Sequence, residues 1–157
     1  MHASFVFIKK EYFIRHSNFI EMLDPNDHEK QSKRQYVFLR MQYKENTILL
    51  PLRSKLPELR GKVGFKVPSE SRPDAGIDYR KMLFVNKEED IEIPSEQRIA
   101  NAQKKIIEEN YLVIQNEVIQ YVDGYIRCKR KGREEKDYRY KFSTLHNFHR
   151  ELGIENP

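Results

Sequence analysis

The chain has 157 residues, 38% of them hydrophobic, and a formal net charge of +5. That length favours one domain over residues 1–157, and nine Tyr and nine Phe are enough to anchor its core. No run approaches the ~18 apolar residues of a membrane span. Ser4–Ile8 is too short for a secretory signal, and a single cysteine, Cys128, leaves no disulfide framework and fits a reducing cytosol.

Ser4–Ile8 alternates and is rich in Phe, Val and Ile, which predicts a first strand. Glu11–Leu23 carries Ile14, Phe19, Ile20 and Leu23 near helical spacing, and Asp24-Pro25-Asn26-Asp27 ends the predicted helix. Arg34–Tyr43 places Val37, Leu39 and Met41 on one face, and Thr47–Leu52 is nearly all apolar. With Lys44-Glu45-Asn46 as the turn, they predict a hairpin whose second strand is the more buried. Arg53–Gly76 is punctuated by Pro57, Gly61, Gly64, Pro68, Pro73 and Gly76. It predicts a long loop with one short strand near Phe65–Val67, and long loops in compact domains are often functional.

Tyr79–Asn86 and Ile91–Ile93 read as further strands. Pro94-Ser95 then opens a helix, with Ser95 as cap and Glu96 in the first turn. Ile107, Tyr111, Ile114, Val118, Val122 and Tyr125 recur at steps of three or four, so the helix is long, or broken once before Gly124. A basic hairpin or loop runs on through Lys141. Ser143–Leu152 predicts a closing helix with Leu145, Phe148, His149 and Leu152 on one face and Gly153 as its stop. About five strands and these three helices make an α+β fold.

The charge is unevenly placed. Arg53, Lys55, Arg60, Lys62 and Lys66 face only Glu58 in one short window. Arg127–Lys141 holds Arg127, Lys129, Arg130, Lys131, Arg133, Lys136, Arg139 and Lys141 against Glu134, Glu135 and Asp137. Two windows that outweigh the whole net charge leave the rest of the chain acidic. Such concentration marks a footprint for a polyanion, with Tyr138 and Tyr140 available to stack on bases. The plainer reading, a solvated basic loop, stays open.

The five histidines show no metal-ligand spacing beyond His146 and His149, and no phosphate-binding, dinucleotide or nucleophile-elbow motif is present. No metal or cofactor is therefore expected. A ribonuclease needs neither, because the substrate's own 2′-hydroxyl attacks the phosphorus. The protein orients the attack, moves two protons and stabilises charge on the phosphorane oxygens. Arg53, Ser54 and Lys55 follow the apolar strand Leu49–Leu52 directly. They offer a planar donor fork, a hydroxyl and a point charge. A surface turn is the alternative for those three residues.

Leu49-Leu50-Pro51-Leu52-Arg53-Ser54 resembles the central motif of the ToxN/AbiQ family, the endoribonuclease toxins of type III toxin–antitoxin systems. Phe142-Ser143-Thr144-Leu145 with Phe148 and Leu152-Gly153 is similar to that family's closing segment. Tyr12 falls where a family tyrosine follows the first strand, and Lys33 or Arg34 where a basic residue precedes the second. Arg53 and Lys55 depart from the family pattern, and the chain looks closer to the CptN-like branch. The resemblance implies a compact, strongly bent, barrel-like antiparallel sheet akin to the MazF/Kid toxins, with helices around it. It also implies cleavage of A-rich RNA, leaving 2′,3′-cyclic phosphate and 5′-hydroxyl ends. Further implications are inhibition by a repetitive pseudoknot RNA in a closed protein–RNA assembly, and a role in abortive infection by phage. Ser54, Arg53, Lys55, Tyr12, Lys33 and Arg34 are the expected catalytic set. Arg60, Lys62, Lys66, Lys129, Arg130, Lys131, Arg133, Tyr138, Arg139, Tyr140 and Lys141 are the expected RNA contacts. Two rivals remain: a non-catalytic RNA-binding module, and an all-helical ribonuclease using Arg139 and His146.

Overall fold

A computed structural model describes residues 3–32, 36–58, 60–96 and 99–154. At its centre is the predicted hairpin, β2 (Val37–Tyr43) with β3 (Asn46–Arg53), paired from Val37 opposite Leu52 to Tyr43 opposite Asn46. Ile48, Leu49 and Leu50 are fully buried, so β3 is the inner strand, as its continuous apolar run requires. β2 pairs on its other side with β1 (Ser4–Ile8), whose far end pairs with β7 (Ile91–Glu92). Beyond β3 lie β5 (Gly76–Asp78) and β6 (Leu83–Phe84), and β4 (Gly64–Lys66) borders β5. All pairs are antiparallel, and the order β4-β5-β3-β2-β1-β7 does not close on itself. The α+β class holds, and the open sheet is consistent with strong bending rather than a barrel. Its seven strands among the described residues dispose of the all-helical rival.

The single strand predicted at Tyr79–Asn86 is interrupted. Tyr79–Lys81 forms a 3-10 turn between β5 and β6, and the register against β3 shifts by the three residues it contains. Asp78 caps that turn by accepting from the Arg80 N–H at 3.1 Å. The kink drops Asp78 into the interior at 0% exposure, directly behind the end of β3.

The predicted first helix is much shorter: α1 covers only Lys10–Arg15. Ile14 and Ile20 stay about half exposed, and the chain turns through Glu21 and Asp24 at φ 61° and 48°. Its apparent apolar stripe was incidental. Phe19 docks inward, edge-on to Phe148 at 5.2 Å, and Met22 packs against the same core. A short α2 (His28–Ser32) precedes β2.

Ser95 caps nothing. The central helix starts at Asn101, so α3 is Asn101–Glu109 and α4 is Tyr111–Arg130. The break falls at Asn110, whose side-chain amide turns back to donate to the Ile106 carbonyl at 2.8 Å. Gly124 does not end α4, and its role is packing. A Cβ there would sit 2.3 Å from the Tyr140 hydroxyl, so only glycine lets that ring close on the helix. Ile114, Val118, Val122 and Tyr125 join the strand residues in one core, as the stripe predicted. Burial of side chains of that size contributes roughly 1.5–3 kcal/mol each.

After α4 the basic segment is a series of turns without strands. The closing helix is also absent: Ser143 caps a 3-10 turn, Thr144–Asn147, accepting from the Leu145 N–H at 3.1 Å. Its packing was nonetheless legible, with Leu145 and Phe148 buried and Phe148 stacked on Phe84 at 5.0 Å.

Candidate functional site

The corner after β3 opens into a cleft of about 720 Å³, counted with its open mouth. Arg53 and Ser54 line one side. Ser69, Ser71 and Arg72, from the tip beyond β4, line another, and Gln103 of α3 contributes between them. Backbone pairs hold these walls together. The Leu56 N–H donates to the Asp74 carbonyl at 2.8 Å, and the Val67 N–H to that of Ala75 at 2.9 Å. Ser69 and Arg72 bond each other's backbone at 3.0 and 3.1 Å, closing the tip. Gly76 is required where these strands meet, because a Cβ would fall 2.3 Å from Leu56 Cδ1 and 2.5 Å from the Phe65 carbonyl.

Arg53 is held from behind. Its Nη1 donates to Asp78 Oδ2 at 2.9 Å, and the same buried carboxylate accepts from Arg80 Nε and Nη2, each at 3.0 Å. One carboxylate between two guanidinium groups leaves a net positive charge at the cleft wall. Arg53 keeps its remaining donors for a ligand. The Ser54, Ser69, Ser71 and Arg72 side chains have no hydrogen-bond partner among the described residues. Two cations and three hydroxyls with donors to spare make a receptacle for phosphate oxygens.

Arg53 also acts electrostatically on two neighbours. Burial, then the bond to Asp24, pushes the Tyr36 hydroxyl up to about 12, with Arg53 opposing. Burial pulls the Lys81 ammonium down, while its Nζ donates to the carbonyls of Glu21 at 2.7 Å and Phe142 at 2.8 Å.

Of the expected catalytic residues, the structure brings Arg53 and Ser54 together in the cleft. Lys55 is exposed beside them. Lys33 and Arg34 lie outside the described residues. Tyr12 is elsewhere: it sits 3% exposed in the core on α1, and its hydroxyl donates to the Phe84 carbonyl at 2.9 Å. Burial pushes that hydroxyl far up, so Tyr12 is a core residue and not a proton carrier.

The two basic windows meet in space. The Arg60 guanidinium lies over the Tyr138 ring at 5.3 Å, and a Cβ on Gly61 would touch the Arg139 side chain at 3.9 Å. Arg130, Lys131, Arg133 and Lys141 are exposed and, among the described residues, lack an acidic partner. Others are partly neutralised. Lys129 pairs with Glu134 at 3.3 Å, Arg139 chelates Asp137, and Lys62 stands 3.7 Å from Glu117. Arg139 also holds the Asp137 carboxyl below its usual range. Lys66 is exposed beside Pro73 and Asp74. Tyr140 is no stacking platform: it is fully buried, donates to the Tyr121 carbonyl at 2.9 Å, and carries Arg139 on its ring.

His146 and His149 share a structural duty. Tyr125 Oη lies 2.9 Å from His146 Nδ1 and 2.6 Å from His149 Nε2, and His146 Nε2 lies 3.2 Å from the Lys141 carbonyl. A carbonyl only accepts, so neutral His146 carries its proton on Nε2, Tyr125 donates to His146, and His149 donates to Tyr125. The chain ties the last turn to α4 and to the basic segment.

Sequence reading missed Asp78, Ser69, Ser71, Arg72 and Gln103. Ser69-Glu70-Ser71-Arg72 sits just beyond the first basic window, where two hydroxyls and a guanidinium in four residues were a usable signal. Asp78 in an apolar stretch, two before Arg80, was another, since a buried acid must be paired.

No protein-family model and no curated protein matches the chain. A solved structure does match it. That structure comes from work on bacterial type III toxin–antitoxin systems and selective toxin inhibition by a non-coding RNA pseudoknot. The match has a TM-score of 0.58 and 18% sequence identity, over 77% of this chain and 78% of the other. The two chains share a fold. The α+β class and the strongly bent antiparallel sheet expected from the sequence agree with that shared fold. Among the described residues no helix is long and apolar enough to cross a membrane.

Proposed function

We propose that this chain is an endoribonuclease toxin of a type III toxin–antitoxin system. It cuts A-rich single-stranded RNA, processes a repetitive RNA precursor, and is then held by the resulting pseudoknot in a closed protein–RNA assembly. Its setting is the cytoplasm and abortive infection by phage. The cleft at the end of β3 carries this reading, lined by Arg53 held on Asp78, by Arg72, and by the Ser54, Ser69 and Ser71 hydroxyls. The shared fold supports it.

In the cleft Arg53, fixed by Asp78, and Arg72 grip the nonbridging oxygens of one phosphodiester. Ser54 donates to an oxygen that gains charge as the phosphorane forms. The adjacent 2′-hydroxyl attacks and the 5′-oxygen leaves, giving a 2′,3′-cyclic phosphate and a 5′-hydroxyl. The substrate supplies the nucleophile, so the scheme needs no metal. Beyond the cleft, Arg60 with Tyr138 and the turn Arg130–Arg133 form the face for antitoxin RNA.

Purified protein should cut an A-rich strand, and Ser54→Ala should reduce cleavage at least 100-fold while RNA affinity stays within a few-fold. Retention of uncut RNA by the wild type would instead favour the non-catalytic binding module.

A further inference from the structure

The polar lining of the cleft is rich in donors, two guanidinium groups and three hydroxyls, and it also holds a side-chain amide. Gln103, in the first turn of α3, is 6% exposed and lines the cleft between its two walls. Its Nε2 donates to the Val67 carbonyl at 2.8 Å. That bond fixes the amide's orientation, because only the NH₂ end can face a carbonyl. Oε1 is left as an acceptor on the cleft lining that no donor among the described residues meets. A ligand that displaces water from this cleft therefore gains most by bringing an anion for Arg53 and Arg72 and a donor close beside it for Gln103.

Resting on the reading of the cleft as an RNA site, we infer that Gln103 accepts a hydrogen bond from the ribose 2′-hydroxyl next to the gripped phosphate, and so selects RNA over DNA. RNA places a donor at that position in every nucleotide, whatever the base, and DNA has none. The same bond orients the sugar, while the bond to Val67 locks the Ser69–Arg72 tip against α3. Gln103 is thus the specificity-determining residue that separates sugar from base recognition.

The probes are adenosine 3′-monophosphate, its 2′-deoxy analogue and inosine 3′-monophosphate, titrated by NMR against wild type and Gln103→Met. None of these has a scissile bond to an outgoing nucleotide, so the result does not depend on whether the protein cleaves RNA. For wild type the deoxy ligand should bind about 5- to 10-fold more weakly than the ribonucleotide, the worth of one hydrogen bond. The change from adenosine to inosine should have the same effect in wild type and in Gln103→Met. In Gln103→Met the ribo and deoxy ligands should bind equally, at the weaker level. Equal ribo and deoxy affinity in wild type overturns the inference even if the variant fails to fold. So does a deoxy penalty that persists in Gln103→Met, or a loss that follows the exocyclic amine instead of the sugar. A protein that never cuts RNA but shows this sugar preference would sink the catalytic reading and leave Gln103 in place.

Discussion

Asp78→Asn removes one charge from the most buried ion cluster among the described residues and almost nothing from its shape. The carboxylate is 0% exposed and accepts from Arg53 at 2.9 Å and from Arg80 at 3.0 and 3.1 Å. Breaking a fully buried pair costs about 3–5 kcal/mol. Here the Arg53 and Arg80 side chains are 26% and 13% exposed, so water recovers part of that loss. We expect destabilisation of about 2–4 kcal/mol in urea, or roughly 5–15 °C in Tm for a chain of this size. Arg53→Met should cost less, about 1 kcal/mol, because Arg80 still pairs Asp78. The double variant should fall short of the sum, as contacting residues do. Under conditions where Asp78→Asn remains folded, its cleavage rate should drop roughly 10- to 100-fold, since Arg53 has lost the partner that aims it. A variant within 0.5 kcal/mol of wild type would show that Arg53 is not clamped and that the cleft wall is built some other way.

Neutralising Arg130, Lys131 and Arg133 together should flatten the dependence of RNA affinity on salt by about two log–log units, about 0.7 per phosphate contact on a single strand. An unchanged slope would turn that segment away from the RNA. Gly124→Ala should destabilise by about 1–3 kcal/mol despite alanine's better helix propensity, because its Cβ meets the Tyr140 hydroxyl; a more stable variant in urea would contradict the close approach. Burial raises the hydroxyls of Tyr12, Tyr36, Tyr79 and Tyr121, with Tyr36 reaching about 12. A raised acid keeps its proton in the fold and loses it near pH 10 when unfolded, so stability is intact below pH 10 and falls above it. Tyrosinate absorbance at 295 nm should accordingly rise together with loss of circular dichroism; full ionisation with the fold unchanged would refute this.

The strands were legible where the chain alternates or runs apolar between turn residues, which is why β1, β3 and β4 fall within one residue of expectation, while β2 ends where expected and begins at Val37, three residues after the expected Arg34. Helix ends were poorly legible. Periodicity at Ile14 and Ile20 imitated an amphipathic face that tertiary packing never used, and Ser95 offered a cap where no helix began. Gly124 reads locally as a helix breaker, and only Tyr140, sixteen residues on, explains it. The candidate site divided the same way. Arg53 and Ser54 were visible because they end a strand beside a proline-punctuated loop. Asp78 and Gln103 act through partners 25 and 36 residues away, and a lone Asp or Gln carries no spacing signal for such contacts. Tyr12 and Tyr140 went the other way, because residue type alone does not distinguish a stacking ring from a core ring with its hydroxyl satisfied.

The most direct measurement of the central claim is the chemistry of the cut ends, read by mass spectrometry on an A-rich oligoribonucleotide with and without EDTA. We expect a 2′,3′-cyclic phosphate and a 5′-hydroxyl, unaffected by the chelator, and no cut where the scissile nucleotide is 2′-deoxy. Cleavage of the deoxy-substituted strand, or a 5′-phosphate at the break, would mean that the sugar hydroxyl is not the nucleophile.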